Sequence, residues 1–206
     1  MGKKYILTDD VIDFNGHTLH RIKAVRDFDC VKAGDLGGFI ESEKNLDHDG
    51  DAWVTDSALV FDSARVTDSA LVTDSARVSG AAWVTDSARV FDSARVTGDA
   101  LVTDSARVSG AAWVTDSAWV TGAAWVTGDA LVSGNADFAV ISGFGRVFRT
   151  TTFFRCKDNL VRCQCGCFYG TVDEFRSKVR ETHGSSKYAK EYLMIADLME
   201  LHFKED

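Results

Sequence analysis

Histidine, cysteine and aspartate are the residues of this chain whose types and spacing could do chemistry. The histidines are His17, His20, His48, His183 and His202. A general base must reach the proton it removes, and only His48 lies beside the long repeat in sequence. Cys156, Cys163, Cys165 and Cys167 fall within twelve residues. The last three alternate, so a strand would face them one way, and Cys156 could approach from the strand before. Zinc sites more often use pairs two to four residues apart on tight turns. The competing reading is a small apolar core lined by reduced thiols. With Cys30 the count is five, an odd number that argues against a disulfide framework.

The aspartates recur too regularly to be separate active sites. Asp56, Asp62, Asp68, Asp74, Asp86, Asp92, Asp104 and Asp116 all occupy one place in a six-residue unit. If a coil holds eighteen residues, Asp56, Asp74 and Asp92 stack along one edge and Asp68, Asp86 and Asp104 along another. Like charges at strand spacing repel, and calcium between them would relieve that. The simpler reading is Asx-type corner capping, offset by Arg65, Arg77, Arg89, Arg95 and Arg107. No catalytic residue, metal ligand or cofactor is assigned on these patterns.

The frame that must position these residues is a strict period. Fifteen alanines stand six apart from Ala52 to Ala136, each followed two places on by valine, except that Phe138 takes the fifteenth place. In Ala-x-Val-Thr, a short strand, Ala and Val point one way and the x and Thr positions the other. Asp-Ser or Gly-Asp then turns the chain, because glycine tolerates positive φ and aspartate can bond nearby backbone. Three strands and three corners close a triangular coil. Five coils would make a prism roughly 24 Å long at strand spacing.

Val54-Thr55-Asp56-Ser57-Ala58 and its copies resemble the hexapeptide-repeat family. The resemblance implies a left-handed parallel β-helix, and trimers, which that family commonly forms. The chain also resembles bacterial and prophage hexapeptide-repeat proteins that share the lead-in Lys32-Ala33-Gly34-Asp35-Leu36-Gly37-Gly38. Many hexapeptide-repeat proteins are acyltransferases that depend on a histidine. Here the repeat has none, and no long loop interrupts the coils to wall off an acyl-donor pocket.

The expected fold is therefore mainly β, with caps at both ends. Residues 1–51 read as a β-hairpin, turning at Asn15-Gly16, and a capping coil. Residues 52–142 read as the β-helix, and residues 143–206 as an α+β cap. In that cap, Thr171-Val172-Asp173-Glu174 is a capping box that starts a helix, Gly184 can end it, and a second helix spans roughly 186–203.

Net charge is −8, which argues against a broad nucleic-acid surface. The stretch 52–137 holds eleven Asp, five Arg and no Lys, Glu, His or Cys. There is no apolar run long enough for a membrane helix and no secretion signal, so the expectation is a cytoplasmic protein that binds neither membrane nor nucleic acid. All five tryptophans and four leucines occupy the outward x position, and apolar outer columns imply a partner surface. The interface candidates are Trp83, Leu101, Trp119, Trp113, Trp125, Phe61 and Phe91. A simpler use for some of them is packing over their neighbours along the ladder. The sequence thus favours a non-catalytic scaffold or protein-binding module, self-associated as a trimer. Two alternatives stand beside it: an acyltransferase-like enzyme with a site at a subunit boundary, and a phage protein that sequesters a host defence protein.

Overall fold

The computed structural model describes residues 2–204; Met1, Glu205 and Asp206 lie outside the described residues. The chain is mainly β. It opens with β1 (Tyr5–Phe14) and β2 (His17–Ala24), an antiparallel hairpin, followed by β3 (Leu36–Ile40). Asn15 and Gly16 at its turn both have positive φ, the geometry that matches strand twist. Gly37-Gly38 lets β3 lie close on the first coil: a Cβ on Gly38 would sit 2.7 Å from the Ala58 carbonyl oxygen.

Fourteen two-residue rungs follow, one every six residues, from β4 (Trp53–Val54) to β17 (Leu131–Val132). Each of β4 to β14 pairs in parallel with the rung eighteen residues on, so the rungs sort into three sheets around one axis. This is a parallel β-solenoid of about five coils. Every sixth-place alanine from Ala52 to Ala130 and every valine from Val54 to Val132 is at most 1% exposed. Such an interior has no room for larger side chains.

The corners explain why the unit alternates Asp with Gly. From residue 50 to residue 128, every sixth residue has φ between 52° and 71°. All of these are Asp or Gly, the types that enter the left-handed region most readily. At some glycine corners the next coil lies close: a Cβ on Gly98 would sit 2.6 Å from the Asp116 nitrogen.

The repeat in sequence outlasts the ladder. Ala136 is exposed, Asn135–Asp137 form a short 3-10 turn, and Phe138 opens β18 (Phe138–Phe144) of a separate antiparallel sheet. That sheet continues through β19 (Arg149–Arg155), β20 (Val161–Cys165) and β21 (Phe168–Thr171). It carries α1 (Val172–His183) and α2 (Lys187–His202). Thr171 and Glu174 form the expected capping box, and Gly184 is the C-cap of α1. Among the described residues, no helix is long and apolar enough to cross a membrane.

Both ends of the solenoid are plugged. At the first coil, Lys4 is fully buried and donates to the carbonyl oxygens of Ala52 (2.9 Å), Asp49 (3.3 Å) and Gly50 (3.4 Å). Tyr5 donates to Leu46 O at 2.7 Å, and its ring and that of Phe28 pack on Trp53. At the last coil, Phe154 and Cys156 join the shaft core, and Lys157 N–H donates to Asp129 O at 3.1 Å. These groups take up backbone that an open solenoid end leaves unpaired.

Candidate functional site

The three faces carry different outward columns. The first presents Phe39, Leu59, Arg77, Arg95, Trp113 and Leu131. The second presents Trp53, Leu71, Arg89, Arg107 and Trp125. The third presents Arg65, Trp83, Leu101 and Trp119. On each face one arginine lies over the tryptophan of the next coil: Arg95 over Trp113 (4.9 Å), Arg107 over Trp125 (5.6 Å) and Arg65 over Trp83 (5.5 Å). Cation–π stacking of this kind contributes about 0.5–1 kcal/mol at exposed sites. Part of the outer apolar surface is thus used within the ladder.

The caps use more of it. The hairpin tip folds down the first face, where Phe14 and His17 cover Phe61 at ring distances of 5.6 and 5.0 Å. Phe61 is buried in a cluster with Leu19, Phe39 and Leu59, which removes it from the interface candidates. Phe91 is half-buried. Trp125 is covered in part by the tail: its backbone N–H donates to Thr152, and its ring N–H donates to Ser109 Oγ at 3.0 Å. Lys157 of the tail lies 4.7 Å over the Trp113 ring. The third face remains the most open: Trp83 is 47% exposed, Trp119 is 53% exposed, and half-buried Leu101 lies between them, against 38% for Trp113 on the first face.

A threonine column runs beside that apolar stripe. Thr67 donates to Thr85 at 2.9 Å, Thr85 donates to Asp68 at 2.5 Å, and Thr103 and Thr121 donate to Asp86 and Asp104. The aspartates do not close local Asx turns. Most carboxylates reach along the axis instead: Gly80, Gly110 and Gly122 donate their N–H groups to Asp62, Asp92 and Asp104, each eighteen residues earlier, while Asp116 accepts from its neighbour Thr115. The spacing was legible, but the partner one coil away was not. Threonine hydroxyls hold the Asp68 and Asp104 carboxyls below their usual range.

The cysteines do not converge. Cys156 belongs to the shaft core and Cys163 to the core under the helices. Burial pushes both thiols up. Cys167 is exposed on the turn after β20, because positive φ at Gly166 ends the strand. All five cysteines are unpaired. The expected alternation therefore fails at Cys167, and the four cysteines weighed against a metal site are split, Cys156 in one core and Cys163 in another.

One constellation has no local sequence signal. His17, Glu41 and Asp62 bring their polar atoms within 4.8 Å of one another, the one group of its kind among the described residues. His17 Nδ1 lies 3.1 Å from Glu41 Oε1, and Nε2 lies 3.5 Å from Asp62 Oδ1. The bond to Glu41 raises the His17 pKa. The sequence placed His48 alone beside a coil; the hairpin fold-back brings His17 there as well. With carboxylates at both nitrogens, this imidazole serves as a clasp between head and first coil. No protein-family model matches the chain, and no curated protein matches it.

Proposed function

We propose that the protein is a non-catalytic cytoplasmic scaffold that binds protein through its third face, first of all further copies of itself as a trimer. The observation that carries this reading is the uneven covering of three chemically similar faces. Head and tail lie over parts of the first and second, while among the described residues no part of either cap covers the Trp83 and Trp119 rings, the two most exposed tryptophans. An exposed apolar stripe rimmed by threonine and aspartate has the composition of an interface core and its polar rim. The acidic edges at Asp68, Asp86 and Asp104 would repel between copies, so added salt should tighten the assembly.

Light scattering at micromolar concentration tests this directly. A species of three chains is expected, falling to one chain in Trp83→Ser/Trp119→Ser. A wild-type particle of 22.5 kDa would refute self-association. The reading also expects no acyl transfer, since the repeat itself holds no histidine. Tight, saturable acetyl-CoA binding would overturn that part.

A further inference from the structure

The tail holds a cavity of about 330 Å³ between the β18–β19 turn, the β20–β21 turn and the two helices, at the small end of ligand pockets, roughly 300–1,000 Å³. Its floor is apolar, formed by Phe168, Phe175 and Val179. Its rim is cationic: Arg146, Arg149 and Lys178 line it, and no acidic side chain does. Lys178 is paired with Glu181 at 2.9 Å, but Arg146 and Arg149 have no ion pair among the described residues. That concentration of positive charge stands out in a chain of net charge −8.

The two arginines are held by unusual backbone. Phe148 between them has φ +53°, a left-handed value uncommon for a bulky residue. Gly145 meets the Tyr192 hydroxyl so closely that a Cβ there would lie 2.2 Å from it, and its N–H donates to Glu191 at 3.1 Å. Arg149 rests on the bare backbone of Gly166, where a Cβ would lie 2.1 Å from its Nη1. The glycine between the two cysteines is thus the seat of the guanidinium.

The geometry points to a binding site for a small amphiphile with one anionic head and a short apolar body. The Arg146 and Arg149 guanidinium groups take the head, a carboxylate, phosphate or sulfonate, by charge-assisted hydrogen bonds. The phenylalanine floor takes the body. Cys165 and Cys167 line the same cavity and act as built-in reporters of its occupation.

Anilinonaphthalene sulfonate, an apolar dye with one sulfonate, is the probe, with octanoate as competitor and octanol as its uncharged counterpart. Octanoate should displace the dye and octanol should not. Arg146→Glu/Arg149→Glu should weaken octanoate by at least about tenfold, the scale of a charged hydrogen bond, while Arg89→Glu on the second face should not. In the unaltered protein, octanoate should slow alkylation of Cys167 and leave exposed Cys30 unchanged, a readout that does not depend on any variant folding. Equal competition by octanol, an unchanged affinity in the double variant, or unprotected Cys167 would each overturn the site. Because the cavity lies in the tail, these results are independent of whether the third face associates.

Discussion

Residues 78–88 and 108–118 are identical over eleven positions, yet they live in different places. Trp83 of the first copy stands on the more open third face, with only Arg65 over its ring. Trp113 of the second copy stands on the first face, between Arg95 and the tail's Lys157. The copies are thirty residues apart, five hexads, so they cannot share a face in a coil of three. Local sequence therefore sets what a rung is, and the caps decide what its outer side chain does. The inward side chains feel no such difference, being buried to the same degree in every coil.

The strongest way to break this contrast is from inside. Val84→Asp and Val114→Asp should be equally ruinous, each costing more than about 4 kcal/mol by burying an unpaired charge. Thermal unfolding by circular dichroism checks this, and tolerance of one but not the other would show that the coils are not equivalent inside. At the corners, Gly98→Ala should cost about 1–3 kcal/mol, because its methyl meets the next coil. Gly122→Ala, with the same backbone conformation but open space beside it, should cost about 1 kcal/mol of strain alone. Equal melting points for the two would remove the packing argument.

A smaller, graded effect belongs to the head. Burial depresses Lys4 from its ordinary 10.5 to about 8, so its favourable contribution is present above pH 10.5 and fades as pH falls through 8. Burial raises the Tyr5 pKa, so its contribution is present below pH 10 and is lost above. Relative to Lys4→Met, the unaltered chain should therefore gain melting temperature between pH 8 and 10, whatever slope the raised thiols of Cys156 and Cys163 impose on both. The smallest stability effect distinguishes the twin tryptophans. Trp113→Ser should lower stability by about 1–2 kcal/mol, and Trp83→Ser should stay within about 0.5 kcal/mol while weakening self-association.

The solenoid was legible because its information is repeated. Ala and Val at fixed spacing specify the interior fourteen times over, so single departures do not hide the pattern. The hairpin turn at Asn15-Gly16 and the helix start at Thr171 were legible for another reason: their chemistry is local. What could not be read depends on contacts between distant residues. Phe61 looked like an outward ring, and nothing near it in sequence shows that Phe14 would lie on it. His17 and Asp62 are forty-five residues apart. The end of the ladder was misplaced because Ala136 and Phe138 keep the beat after the backbone has left it. The tail cavity needs Arg146, Cys165 and Lys178 from three elements, and each looks ordinary alone.

The pairing of every third rung has a consequence for growth. Each hexad is one third of a coil, so inserting one would turn everything beyond it by a third of a revolution about the shaft. Inserting three would restore the orientation and move the tail outward by about 4.8 Å. The length of the shaft and the angle between its two ends are thus a single variable that advances in steps, like the clicks of a ratchet. A five-hexad duplication of the kind recorded here re-aims the tail by two clicks. It can hand the exposed stripe to a new face without altering one residue of the stripe itself.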